Sequence, residues 1–515
     1  MKTNFAKISS TDQSGFSTIE ILIAFSVGII FLTAAMMVSF SDPTLARQIS
    51  LESGQAAALD VALDSTALSS STNKLGLTTA ALMKNWSAIL TGDQQGNYKN
   101  VLTTSDVSPC LKEITNVTQW DNTFGARHRD ITFGTALGSM DIAKALGRGG
   151  CDPLPAGSWD SPKKYPNGAS ISSVNANDIV IIQDNGKRIA VLATTPQGGG
   201  NTSLEDLYAF DVTDPANPSA ALGKIHTGKG LNAIATNGEY VFALQNDSTN
   251  QLQVIRIFDT AKSVNDPAYY TPKVVATSSL QNVGGANPAG RSIAYYNNRL
   301  YIGTWNNNVP ATSPEFLIYN VTNPISPTFL GSNNLGHSVN SISIKDSYAY
   351  LATTDNAGEL TVMNISISSS PIVAGHYDLP SNTTDAEEVT VLSNRAYLGL
   401  NRVPGGGSEF LIINIATPAS PTLLKGINLG LKNNTKVTGI DVHDNYAFIG
   451  TNVSNEEFRV LDVTNPSNPA IMPCSPYNYS AAVSALQYFD GYIFLANQVN
   501  ASLRVIYDSN GTSCN

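Results

Sequence analysis

Charge is what this chain has least of. Only 14% of its residues are Asp, Glu, Lys or Arg, so its contact with water must rest on Asn, Ser, Thr and Gln. Histidine is scarcer, at 5 in 515 residues, and none of the 4 cysteines forms a CxxC pair or lies at ligand spacing from a histidine. That pattern argues against a zinc site. Basic residues number 30 against 40 acidic ones, giving a net charge of −10 and a pI near 5.0. Such a chain lacks the cationic surface that displaces counterions from nucleic acid, and no nucleic-acid partner is expected. Nucleophile elbow, phosphate loop, HExxH and Gly-rich dinucleotide fingerprint are all missing from any suitable context. The triple-glycine runs at 198–200 and 405–407 have no helix after them and read as loops. The chain is therefore read as non-enzymatic, with no catalytic residue, no metal and no cofactor.

What is present points to β structure. With 40 Gly, 25 Pro and 20 Tyr the composition favours a turn-rich sheet protein, and the length exceeds one ordinary domain. One long apolar run stands out. Residues 1–15 are polar with Lys2 and Lys7, and the chain then turns abruptly into FSTIEILIAFSVGIIFLTAAMMVSF, from Phe16 to Phe40. A helix of that length rises about 37 Å, enough to span a bilayer with some tilt. Its single charge, Glu20, costs a few kcal/mol in lipid unless something compensates it, so a plain anchor or secretory signal gives no reason for it.

The string Gly15-Phe16-Ser17-Thr18-Ile19-Glu20, behind a basic leader and ahead of a long apolar helix, resembles the signal of type IV prepilins. The resemblance implies cleavage by a prepilin peptidase after Gly15, N-methylation of Phe16, and pairing of Glu20 with the N-terminal ammonium of a neighbouring pilin subunit. Residues 16–68 would then form the pilin helix, membrane-spanning over 16–40, interrupted near Pro43 and resuming from Leu45. The implied itinerary is the inner membrane as a single-pass protein, then an extracellular pilus at the cell surface.

Residues 69–166 are the least legible. Short helices are expected at 79–90 and 139–146, a small pilin head or connector between stalk and ring, and Arg127-His128-Arg129-Asp130 reads as a solvated loop. For an exported chain, Cys110, Cys151, Cys474 and Cys514 read as two disulfides. Sequence order suggests Cys110 with Cys151 and Cys474 with Cys514, the other pairings staying open.

From about residue 175 the chain repeats. Apolar strands RIAVLAT at 188, YVFALQ at 240, RLYIGT at 299, YAYLAT at 348, RAYLGL at 395, YAFIGT at 446 and YIFLAN at 492 start 46 to 59 residues apart, the length of a four-stranded propeller blade. Each follows a short strand and a turn of Asn, Asp or Gly. Downstream comes a second element, as in LYAFDVTDPANP at 207, FLIYNVTNPISP at 316 and FRVLDVTNPSNP at 458. There Asp or Asn closes a turn onto its own backbone and Pro stops the ladder before an outer strand. The pattern resembles the LVIVD-repeat family, which implies a seven-bladed β-propeller over 167–515, so the fold class is a long N-terminal α-helix plus an all-β propeller. The unit at 254 carries an expanded outer loop, and the last unit ends without a fourth strand, so residues 169–174 are expected to close the ring.

His226, His337, His376 and His443 fall in different repeats and read as scattered structural residues. Glu387-Glu388 and the string from Asp355 to Glu359 are candidate cation contacts without the ligand count of a calcium loop. Asn-x-Ser/Thr sites at Asn320, Asn364, Asn382, Asn452 and Asn500 are expected by chance in so Asn-rich a chain. The functional expectation is a minor or tip pilin whose propeller binds a surface protein or glycan. The alternatives are a major subunit of a propeller-decorated filament, a type II secretion pseudopilin and, last, a propeller hydrolase.

Overall fold

The computed structural model describes three strands within residues 98–138, and residues 159–509 apart from short loop stretches at 198–203, 246, 248, 264–265, 284–289, 307–311, 380–383, 402–406, 433–434, 476–477, 479–480 and 499–501. The leader, the apolar run with Gly15, Phe16 and Glu20, and the expected helices at 79–90 and 139–146 lie outside the described residues. Among the described residues no helix is long and apolar enough to cross a membrane. The chain divides into two compact units, Met1–Ser139 and Met140–Asn515.

In the first unit, strands β1 (Tyr98–Ser108), β2 (Leu111–Asp121) and β3 (His128–Gly138) form an antiparallel meander in that order. The expectation of a solvated loop over Arg127-His128-Arg129-Asp130 is corrected at 128–130, Arg127 lying outside the described residues. His128, Arg129 and Asp130 open β3 and stand opposite Asp121, Trp120 and Gln119. Threonines and isoleucine spaced through the DITFGTAL run favour an extended backbone, and that preference carries back through the charged cluster.

The second unit contains seven antiparallel sheets. Their inner strands are Val174–Asp184, Leu231–Thr236, Gly290–Tyr296, Val339–Lys345, Ala386–Leu392, Val437–His443 and Val483–Phe489, which number the blades 1 to 7. Each inner strand touches the next, and the seventh touches the first, so the sheets close into a seven-bladed propeller. Blade 4 shows the unit: inner strand, then Tyr348–Thr353, Leu360–Asn364 and the outer Ile372–Tyr377.

The core is divided among the seams between blades. One apolar cluster joins blades 1 and 2 through Val191 and Ile234, another blades 4 and 5 through Val362 and Val389, and a third closes the ring from Val505 of blade 7 to Ile181 of blade 1. The second strand of each blade is covered on both faces, so strings such as YAYLAT bury nearly every residue instead of alternating.

Turn chemistry follows the sequence closely. The inner hairpins turn through left-handed residues, Asn185 with Gly186, Asn297 with Asn298 and Asp490 with Gly491. At the start of each outer connection an Asx side chain accepts the backbone N–H two residues on: Asp211 from Thr213 at 2.9 Å, Asn320 from Thr322 at 2.9 Å and Asp462 from Thr464 at 2.8 Å. The expanded connection of blade 2 folds into a 3₁₀ turn, Pro267–Tyr270, capped by Asp266, and Tyr269 and Tyr270 pack on Phe258.

Closure differs in detail from the expectation. Of residues 169–174 only Ala169–Ser170 pair with the last strand, Ser502–Asp508, and Val174 already belongs to blade 1. The rest of the fourth strand is supplied upstream of residue 167 by Pro162–Lys164, opposite Ile506 to Asp508. Trp159 is buried there against Phe448, with ring centroids 4.7 Å apart. Cys474 is buried and disulfide-bonded, while Cys110, Cys151 and Cys514 lie outside the described residues.

Candidate ligand site at the propeller axis

Every inner strand carries a β-bulge near its start, between Ala176 and Asp178 in blade 1 and at the matching place in the other six. The extra residue is Asn177, Asn232, Arg291, Asn340, Glu387, Thr438 or Ser484, in blade order. Bulges re-aim a side chain, and here they set seven side chains at one level around the axis.

Asparagine in this position is a latch. Asn177 donates Nδ2 to the Leu231 carbonyl of blade 2 at 2.7 Å, Asn232 to Gly290 of blade 3 at 2.9 Å and Asn340 to Ala386 of blade 5 at 2.5 Å. Blades 3 and 5 break the pattern with charge. Arg291 reaches past blade 4 to place Nη2 3.4 Å from Oε2 of Glu387, and Lys436, just ahead of blade 6, places Nζ 2.7 Å from the same oxygen. The Arg291 guanidinium also lies over Trp305, 3.7 Å from the ring centroid. Burial pulls the Arg291 pKa below its ordinary value, with Glu387, Glu388 and Asp385 acting against that.

One residue deeper, Asp178 of blade 1 and Glu388 of blade 5 approach closely enough to repel. Asp178 accepts the Ile179 N–H and, across the seam, the Ile234 N–H, each at 2.8 Å. Burial nonetheless pushes its carboxyl up to about 6. Burial likewise pushes Glu388 up to about 8, with Asp178 and Glu387 adding to the rise and a hydrogen bond to Ser341 opposing it. Asp385 is raised by burial and then by Glu387. Deeper again the polar groups are occupied between blades: Asp441 accepts the Tyr488 N–H at 2.8 Å and Gln487 the Ile181 N–H at 2.8 Å. The exposed chemistry thus gathers at the bulge level.

Residues 336–379 and 435–473, which contain blades 4 and 6, match the LVIVD repeat family. The chain carries LVIVD repeats. No curated protein sequence matches it. Among solved structures, a chain described as "COPII on membranes, outer coat vertex" is similar with a TM-score of 0.45 and 12% identity, over 66% of this chain and 84% of that one. One described as "The structure of the COPII coat assembled on membranes" has the same score and identity over 66% of this chain and 47% of that one.

The two matched LVIVD units share a feature the sequence reading missed. Glu359 and Glu457, each one residue before the third strand, are buried and accept a backbone N–H, from Leu379 at 2.7 Å and from Asn455 at 2.8 Å. Blades 1, 2, 3 and 5 repeat it with Asp206, Gln251, Glu315 and Glu409, most holding the connection that leads to the next blade. The available signal was an acid or Gln ahead of each third strand, in LED, NQL, PEF, GEL, SEF and EEF.

Of the described residues singled out from the sequence, Glu387 and Glu388 reach the bulge level of the axis. Asp355 lies 3.4 Å from His337, and Glu359 is one of the latches. The histidines do not converge: His226 contacts the Leu204 carbonyl, and His443 stacks on Tyr488 at 4.1 Å. Among the described residues no cluster of His, Cys, Asp and Glu could hold a metal ion.

Proposed function

We propose that the chain is a filament subunit of the type IV pilin kind whose propeller is an extracellular binding head. Glu20 carries the filament half of this reading, because a lone carboxylate five residues into an apolar run of twenty-five needs a partner that a neighbouring subunit's N-terminal ammonium supplies. Loop distribution supports the binding half. Tight hairpins and the outer Asx turns, such as 321–327, 365–371 and 415–421, make one face of the ring uniform apart from the expanded 257–272 connection of blade 2. On the bulge face the connections run from the short link between Asn497 and Ser502 to the long one between Thr304 and Phe316. A rigid ring with variable loops on one face suits recognition.

A minor or tip subunit fits best, since a head of this size crowds lateral neighbours, and a major subunit or a pseudopilin is the second reading. Glu20→Ala is expected to leave processing at Gly15 intact and to abolish incorporation into fibres, scored by immunogold imaging of a tagged propeller in cells with and without prepilin peptidase. Unchanged incorporation removes the filament reading. The proportion of the chain in sheared filaments separates tip from shaft, a trace amount meaning tip.

A further inference from the structure

We infer that the axial mouth binds a primary ammonium group carried on a flexible stem, as on a lysine side chain or an amino sugar. The inference deepens the binding role above and rests on it only for where the ligand is met.

The charge balance of the mouth comes first. Around the bulge level Asp178, Asp385, Glu387 and Glu388 stand against Arg291 and Lys436, and with the Glu388 carboxyl held protonated at neutral pH three acids remain against two cations. Both cations spend themselves on one oxygen, Oε2 of Glu387. Asp385 feels Arg291 and Lys436 at longer range only; among the described residues it has a long contact from Asn401 Nδ2 at 3.4 Å and no ion pair of its own. A half-buried carboxylate in that state costs free energy that an incoming cation recovers.

An independent observation points the same way. Asn340, only 8% exposed, is fixed through Nδ2 to the carbonyl of Ala386, the residue between Asp385 and Glu387, and its Oδ1 has no hydrogen-bond partner. Thr384, fully buried next to Asp385, has an unpartnered Oγ1. At the seams of blades 1 and 2 and of blades 2 and 3 the corresponding asparagines complete simple latches, whereas here a spare amide oxygen held at Ala386 and a spare hydroxyl on Thr384 flank a carboxylate without an ion pair, a set of acceptors suited to a multiple donor. An ammonium has three N–H donors and no acceptor, which matches this set, whereas an anion would meet Asp385 unshielded. Trp305, with one face covered by the bulge residue Arg291, lies beside the bulge level and offers apolar surface to a stem.

The test uses the full chain and titration calorimetry with four probes: Nα-acetyl-lysine methylamide, glucosamine, and the N-acetylated form of each. Binding of either amine at least tenfold tighter than its acetylated form, weakening as salt rises, is the expected result, and the tighter of the two amines identifies the source. Asp385→Asn is expected to weaken the amine at least tenfold without lowering Tm. Glu387→Gln, which releases Arg291 and Lys436, is expected to abolish amine binding and to let acetate bind. Equal affinity for amine and acetylated probes, preference of the unaltered chain for acetate, or indifference to Asp385→Asn overturns the inference. None of these readings depends on filament assembly, so the fibre proposal stands or falls separately.

Discussion

Glu388 shows how the ring trades stability for chemistry at one residue. Its carboxyl, ordinarily near 4.5, is pushed up to about 8 in the folded ring, so the folded state favours the protonated form. The stabilisation from that preference is complete below about pH 4.5 and is lost as pH rises through about 8. Glu388→Gln keeps the neutral shape and removes the ionisation. It should therefore raise Tm at pH 8 to 9, by an amount worth about 1–3 kcal/mol once solvent in the channel is allowed for, and leave Tm unchanged at pH 4. Calorimetric melting at the two pH values checks this, and an equal gain at both would contradict it. Residues of this kind were partly legible. The Glu387-Glu388 pair drew notice as a candidate metal contact, whereas what Glu387 meets among the described residues is the side chains of Arg291 and Lys436. Nothing in the string marks Asn177, Arg291 and Glu387 as equivalents, because a bulge is one extra residue whose position emerges only when the partner strand is laid beside it.

At the level of elements, the apolar second strands and the Asx-Pro connections could be read directly, since both depend on local chemistry. The buried acids before the third strands escaped because most act on a connection some twenty residues away, as Glu409 does on Leu429, while Glu457 holds Asn455 two residues before it. That latch predicts an asymmetry. Glu409→Ala leaves the Leu429 N–H buried without an acceptor and should cost about 1–3 kcal/mol of unfolding free energy, read from the denaturant midpoint. Glu409→Gln keeps an acceptor and should cost clearly less, so equal losses in the two variants would rule the latch out. The β3 strand was missed for the opposite reason, its charged opening residues hiding an extended run that the pairing with β2 reveals.

For the whole molecule, seven repeats spaced by about one blade specify a ring, and the ring closes as a propeller. How it closes was less legible, because Pro162–Lys164 has no repeat partner in the sequence and is strand only through Ile506 to Asp508. A truncated chain beginning at residue 155 should melt cooperatively, whereas one beginning at 171, lacking Trp159 and both closing segments, should lose cooperativity or aggregate through the open edge of blade 7. Similar melting curves for the two would show that closure from upstream is dispensable.

That closing edge also governs what happens when the chain is pulled. Tension arriving from the N-terminal side enters at Trp159 and meets the ring at its outermost strand, where three residue pairs join Pro162–Lys164 to the last strand and Tyr165 stacks on Tyr507. The outer strands of blades 1 to 6 continue directly from their own third strands and bear no such load. Were the chain pulled from that side, these few pairs would be the first of the ring's backbone ladders to carry the load.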